Sequence, residues 1–221
     1  MIIAIDGPAG SGKSTIAKRI ASKLEFVFLN TGNFYRGAAL ALLRENGSKS
    51  DGSGITIPDL SNEDEISHFV DTVPLRYQND AFFIGTENVD PFLRTDSVEK
   101  IVAPLSGIVA VRHILNRKIR EAARNMNIVC EGRDMTTVVF PDADYKFYLD
   151  ASIAARTERR YLQGTSTMTR EKTGEAIRKR DDIDRNKKEG KLQIAPDAMY
   201  IDTSDLTIEQ VCEMILHKIH L

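Results

Sequence analysis

Residues 7–14 read Gly7-Pro8-Ala9-Gly10-Ser11-Gly12-Lys13-Ser14, directly after the apolar run Ile2-Ile3-Ala4-Ile5. The spacing Gly-x-x-x-x-Gly-Lys-Ser, with Thr15 following, is that of a phosphate loop between a buried strand and a helix. Glycines leave backbone N–H groups free to turn inward around a polyphosphate, where a Cβ would block the approach. Lys13 would reach the β- and γ-phosphates, the Ser14 hydroxyl could ligate Mg²⁺, and the following helix adds its positive N-terminal end. The bland alternative is a glycine-rich turn with an incidental lysine, and the flanking strand and helix argue against it. Residues Gly7 to Thr15 are therefore expected to bind ATP or GTP. Guanine readers carry Asn-Lys-x-Asp after a strand. Asn186-Lys187-Lys188-Glu189 ends in the wrong acid and follows a charged helix, so it is a coincidence.

Arginines supply the second signal. Arg36, Arg112, Arg133, Arg156, Arg159, Arg160, Arg180 and Arg185 fall at expected element ends or on two helices around Gly164. A guanidinium is a planar fork that holds phosphate oxygens bidentately. A solvated helix face accounts better for Arg178 and Lys179, and a salt-bridged surface helix is the rival for Arg156, Arg159 and Arg160. The chemistry helps to choose. A phosphate monoester acceptor has a second pKa of about 6, so near neutrality it is already a dianionic nucleophile. It needs no general base, only relief of repulsion from the donor. Phosphoryl transfer is mostly positioning and electrostatic stabilisation. A hydroxyl acceptor would ask for fewer arginines and a positioned carboxylate. The arginine content thus points to a phosphate acceptor.

These groups must be placed by alternating elements. A helix is expected over 14–24, a strand over 26–29, and a helix to about Glu45 ended by Asn46-Gly47. Residues 48–58 read as a loop. Ser61 with Asp64 resembles a capping box opening a short helix. Runs 73–77 and 81–84, joined through Gln78-Asn79-Asp80, suggest a small antiparallel sheet. Helices follow over 96–104 and 107–125. Strands at 127–131 and 145–150, a helix over 152–163, a polar turn at 164–169 and a basic helix over 171–188 come next. A last strand at 198–202 leads to a helix over 207–219, which Thr207 and Gln210 would cap. Strands alternating with helices argue for a parallel central sheet covered on both faces, an α/β fold of the P-loop three-layer α/β/α kind. The whole chain reads as one P-loop domain. Its core would be 1–47, 96–155 and 190–221, with a small inserted subdomain at 48–95 and a helical segment at 156–189 that the family resemblance below marks as a lid with flanking helices.

Composition sets the outer bounds. The formal net charge is −2 and 42% of the 221 residues are hydrophobic, enough for a proper core and poor for a nucleic-acid polymer binder. Residues 156–191 carry twelve Lys/Arg against seven Asp/Glu, a local excess suited to a small anionic ligand. Cys130 and Cys212 sit in apolar patterns, as small buried hydrophobes in a reducing compartment. The four histidines are scattered without metal-ligand spacing. The first strand begins almost at residue 1, so no signal peptide is expected, and no apolar run approaches spanning length. A cytoplasmic monomer without membrane contact is the expectation.

The chain resembles the bacterial cytidylate kinases, among the nucleoside monophosphate kinases. The likeness rests on residues 5–14, on Thr31-Gly32-Asn33-Phe34-Tyr35-Arg36, on Val111-Arg112, on Glu131-Gly132-Arg133-Asp134 running into Thr137-Val138-Val139-Phe140-Pro141-Asp142-Ala143, and on Arg180 to Asn186. It implies an acceptor-binding insert at 48–95 and transfer from ATP to CMP and dCMP, with Mg²⁺ as cofactor. Lys13, Arg133, Arg156 and Arg160 would be catalytic, the last two on the lid, which would close over ATP. Arg36 and Arg133 match groups on the acceptor phosphate, with Thr31 and Tyr35 in the same motif. Arg112 and Asp134 match groups on the pyrimidine; a carboxylate accepting from the 4-amino group would favour cytosine over uracil. Arg180 and Asp184 match ribose contacts, and Glu131 would hold a Mg²⁺-bound water beside Ser14. Two positions depart from the family. Ala103 stands where relatives often carry a serine touching the base, and Lys187 stands at a usual arginine, a point charge for a fork. The rivals are a kinase of the same fold for another monophosphate, such as UMP, and a nucleotide-binding regulator without turnover.

Overall fold

In the computed structural model residues 1–49, 58–78, 81–163 and 168–220 are described. The chain divides into two compact units, Met1–Leu29 with Asn125–Leu221, and Asn30–Arg124. The expected loop 48–58 and the turns at 78–80 and 164–169 lie largely outside the described residues.

The first unit is built on the strands β1 (Ile2–Asp6), β2 (Val27–Asn30), β6 (Ile128–Gly132), β7 (Tyr145–Asp150) and β8 (Met199–Asp202), in the sheet order β2-β6-β1-β7-β8. The β1 strand runs parallel to β6 and β7, and β7 parallel to β8. Continuous apolar runs suit strands buried on both faces. Ile3, Ile5, Val129, Phe147, Leu149 and Ile201 pack with Ile16, Ala17, Ile20 and Ala21 of α1 (Lys13–Leu24) and with Val211, Cys212 and Ile215 of α8 (Ile208–Lys218). The alternate residues Ala4, Cys130 and Tyr148 are buried too. The fold class is thus the three-layer α/β/α one read from the alternation. The expected cap of α8 forms in full: Gln210 N–H donates to Thr207 Oγ1 at 3.2 Å, and Thr207 N–H donates to Gln210 Oε1 at 2.8 Å. Two further helices, α6 (Ile153–Leu162) and α7 (Arg170–Asn186), pack against each other. Parallel strands put their carboxyl ends on one edge, so the segments after β1, β6, β7 and β8 share it, the usual place for a ligand in such sheets.

The second unit holds α2 (Gly32–Lys49), α3 (Glu63–Thr72), α4 (Asp96–Leu105), α5 (Val109–Ala122) and a three-stranded sheet of β3 (Leu75–Gln78), β4 (Ala81–Ile84) and β5 (Glu87–Asn88). The antiparallel β3–β4 pair pairs Leu75 with Ile84. Its core forms around Phe82, fully buried and edge-on to Phe34 with ring centroids 4.9 Å apart. Gly37 makes that approach possible, because a Cβ there would sit 2.5 Å from the Phe82 ring.

Several local expectations are corrected. The N-cap of α3 is Asn62, whose Oδ1 accepts from Glu65 N–H at 3.2 Å; Ser61 instead donates to Asp59. The β3 strand starts after Pro74, which has no N–H to give a ladder. The α2 helix runs past Asn46-Gly47, because Asn46 Nδ2 turns back onto Leu42 O at 2.9 Å instead of capping. A π-helical turn at Met135–Val139 and the short β5 carry no periodic signal and were not expected. The variant Phe82→Ala should lower the unfolding free energy by about 3–5 kcal/mol in urea titration; a loss under about 1 kcal/mol would show that Phe34 and Phe82 do not form the unit's core.

Candidate functional site

Backbone conformation makes the phosphate loop. Gly10 and Gly12 have φ of +78° and +93°, in the region that L side chains avoid. At Gly7 a Cβ would fall 1.9 Å from Leu149 O, so only glycine fits beside β7. At Gly12 a Cβ would meet nothing within 4 Å, so the space beside the loop is open. Lys13, the first residue of α1, is buried and folds back to donate from Nζ to Pro8 O at 2.7 Å. Burial and the nearby Arg133 charge pull its pKa down to about 7, against the pull of Glu131, Asp6 and Asp184. Thr15 and Ser14 are on the exposed side, and Ser14 Oγ donates to Glu131 Oε1 at 3.0 Å. A hydroxyl beside a carboxylate is an oxygen donor set suited to Mg²⁺.

The segment after β6 carries the next groups. Asp6, at the end of β1, accepts from Met135 N–H at 2.9 Å, Thr136 N–H at 2.7 Å and Thr136 Oγ1 at 2.6 Å. This pins the π-turn and presents Arg133 and the buried Asp134 ahead of it. Burial pushes the Asp6 carboxyl up to about 6, with the three donors opposing.

From there Arg133 donates from Nε to Asp184 Oδ2 at 2.8 Å and from Nη1 to Gly7 O at 3.2 Å. Arg180 Nε reaches the same Oδ2 at 3.2 Å, and Lys187 Nζ reaches Oδ1 at 2.7 Å. Asp184 is wholly buried. Burial alone would raise its pKa, but Arg133, Arg180 and Lys187 outweigh it and hold the carboxyl well below the usual range. Reciprocally, burial disfavours the Arg133 charge and Asp184 more than restores it. Three cations thus converge on one buried carboxylate, and Glu131 and Asp181 also act on Arg133.

On α6, Arg156 is buried, with Nε on Ala151 O at 2.8 Å and Nη1 on Asp181 Oδ2 at 2.6 Å. Arg160 is exposed and donates to Gln163 Oε1 at 3.1 Å.

The remaining expected residues lie in the second unit. Thr31 is buried, and Arg36 Nε donates to Glu99 Oε1 at 2.9 Å. A Cβ on Gly32 would sit 2.6 Å from Arg36 Nη1, so this glycine lets the guanidinium lie across the helix start. The Arg112 guanidinium lies 5.8 Å from the Tyr35 ring centroid and donates to Ser106 O at 3.4 Å, and Tyr35 OH contacts Asn116 Oδ1 at 3.5 Å. Ala103, half-buried on α4, accepts at its carbonyl from Ser106 Oγ at 2.8 Å.

Site residues therefore fall in both units: the loop, Glu131, Arg133, Arg156, Arg180, Asp184 and Lys187 are linked by hydrogen bonds in the first, where Asp134 is buried and Arg160 points to Gln163 apart from them, and Thr31, Tyr35, Arg36, Ala103 and Arg112 lie in the second. Sequence reasoning gave no role to Asp6, Glu99, Asn116, Asp181 or Thr203. Asp6 had a signal, a lone acid ending an apolar strand; the others are polar residues whose partners only the fold reveals.

A family model described as Cytidylate kinase matches residues 3–221. The chain is similar to Cytidylate kinase 1 of Borreliella burgdorferi, 37% identical over 223 residues, covering 100% of this chain and 97% of that one. It is 38% identical to the Cytidylate kinase of Borrelia hermsii, covering 100% and 99%. Among solved structures, an uncharacterized protein from Eubacterium ventriosum aligns at a TM-score of 0.52 and 13% identity, over 98% of this chain and 96% of that one, a likeness of fold alone. Among the described residues no helix is long and apolar enough to cross a membrane.

Lys13 gives a pH test. With its pKa near 7 it is mostly neutral at pH 8 in the free protein. A bound polyphosphate restores the ammonium, so binding must take up protons at a pH where the ligand's own phosphates are already ionised. Calorimetry of ATP binding at pH 8, in buffers of different ionisation enthalpy, should give an uptake approaching one proton; no uptake would place Lys13 away from the phosphates or leave its pKa unshifted.

Proposed function

The chain belongs to the cytidylate kinase family, and on that premise we propose that it transfers the γ-phosphoryl group of ATP to CMP and dCMP, giving ADP with CDP or dCDP. One observation supports this above the others. Arg133 joins the carbonyl of Gly7, at the start of the phosphate loop, to the Asp184 cluster of Arg180 and Lys187. A donor cradle and a second cationic centre thus share one side chain.

The chemistry follows from charge. The acceptor monophosphate is a dianion near neutrality and attacks the γ-phosphorus without a base. The barrier left to the protein is repulsion between two anions, and preorganised donors in a water-poor site lower it. Loop N–H groups and Lys13 hold the donor, and Arg133 lies between donor and acceptor oxygens. Arg160, exposed on α6, belongs to the lid that closes over the donor and excludes water, and Arg156 anchors the base of that lid to the phosphate loop at Ala9 O. Ser14 would hold Mg²⁺ directly and Glu131 through a water; the ion, when bound, neutralises donor phosphate charge. On the acceptor, Arg36 and Thr31 take phosphate oxygens, Arg112 and Asp134 read the base, Tyr35 and Ala103 line it, and Arg180, Asp184 and Lys187 hold ribose and phosphate. The insert of residues 60–93 moves on acceptor binding. Lys187, at the usual arginine position, donates to Asp184 Oδ1 as a point charge and offers an incoming phosphate a weaker grip than a fork would. We assign the protein to the cytoplasm as a monomer acting on free nucleotides.

A panel of monophosphates with ATP and Mg²⁺, read by ADP release and product identity, tests this. CMP and dCMP should exceed UMP in kcat/KM by at least about tenfold, and Arg133→Ala should lower kcat by about a hundredfold or more while ATP affinity changes little. A UMP preference would relocate the specificity, and ATP binding without transfer to any acceptor would make the protein a regulator.

A further inference from the structure

The phosphate loop is held by side chains bonded to its backbone at Ala9 and Ser11. Asp181, on α7, points both carboxylate oxygens at one linkage. Its Oδ1 accepts from the N–H of Ala9 at 3.3 Å, and its Oδ2 accepts from Arg156 Nη1 at 2.6 Å. The same Arg156 nitrogen donates to Ala9 O at 3.1 Å, so the ion pair takes both backbone groups of one loop residue. The two charged side chains are each 3% exposed. Gly10, next along, lies so close to Arg156 that a Cβ there would come within 3.2 Å of its Cβ and carbonyl oxygen. A second hold lies two residues further on. Thr203 Oγ1, shared between Asp150 O at 2.9 Å and Ser11 O at 3.2 Å, takes a bond from Arg159 Nη1 at 2.9 Å. The loop is gripped at alternate residues, Ala9 and Ser11, from α6, α7 and the end of β8.

We infer that Asp181 is a positioning residue for the donor: it fixes Ala9, and with it the direction of the following N–H groups, before ATP arrives. The inference rests on the phosphotransfer proposed above. The physical reason is that a cradle of N–H groups works only if its dipoles are already oriented, since reorienting them on binding would offset the gain. Ala9 is not itself held by a left-handed φ, as Gly10 and Gly12 are, so it needs a partner to fix it. A buried ion pair is a weak source of stability but a well-defined geometric register. A carboxylate offers an acceptor to each donor. An amide offers one acceptor and one NH₂, which would face either the Ala9 N–H or the Arg156 guanidinium with the wrong polarity.

The variants Asp181→Asn and Asp181→Ala separate positioning from mere support. Asparagine conserves volume, which keeps a folded variant in hand if alanine does not fold. Steady-state kinetics with ATP and CMP varied in turn, on protein shown folded by circular dichroism, should raise KM for ATP by about tenfold in Asp181→Asn while KM for CMP stays within about twofold. Direct ATP binding by calorimetry should weaken by the same factor. A lower melting temperature with both KM values and ATP affinity unchanged would reduce Asp181 to a structural ion pair, and a parallel rise in both KM values would equally overturn the inference. If the unaltered protein bound ATP without turnover, the phosphotransfer would fail, and the ATP affinities of the two variants would still decide the role of Asp181.

Discussion

The electrostatic constraint on which the site depends is the burial of Asp184 among three cations. A single carboxylate taken wholly from water would be costly. Here Arg133, Arg180 and Lys187 each reach it, and they hold one another's charge in place by holding it. Mutual repulsion would otherwise spread such side chains into solvent, with large entropy losses on recapture. Asp184 thus holds three cationic side chains together in one place. Arg133 extends that site to the phosphate loop through Gly7 O.

The scaffold explains why these residues can meet. The phosphate loop follows β1, Arg133 follows β6, and Asp184 lies on α7, distant in sequence but within one compact unit. Asp6 ties the end of β1 to the turn after β6 by three accepted bonds, so two neighbouring strand ends are fixed in register. Lys13 illustrates the accompanying strain. It is kept buried at reduced basicity, with its Nζ donating to Pro8 O.

Much of this was legible in the sequence, for identifiable reasons. The phosphate loop is a short contiguous pattern in which each glycine answers a local backbone demand, and Gly7, Gly10 and Gly12 each show it. The Thr207–Gln210 cap is local too, and both of its bonds form. The alternation of apolar runs was enough to read the parallel sheet. Features set by alternatives of similar local energy were less legible. Asn62 competes with Ser61 for the same cap, and Asn46 could bond back into its helix as readily as end it. The Asp184 cluster was legible only in part: Arg180 and Lys187 share its helical segment, but the spacing to Arg133 carries no information about their meeting. Asp181 and Thr203 were not legible at all, because each bonds the backbone of the phosphate loop, which leaves no mark in a sequence, and an arginine of α6 far from it in the chain.

The central claim is that the cluster around Asp184 is positive enough to hold a nucleotide phosphate as its dianion. The direct test is phosphorus NMR of CMP bound to the protein, titrated from neutral to acid. A free monoester protonates at about pH 6. The account predicts that the bound phosphate titrates at least about one unit lower, and that Arg133→Ala returns it toward the free value. A bound phosphate that titrates at or above the free value would mean that these cations do not face the acceptor, and would contradict the account.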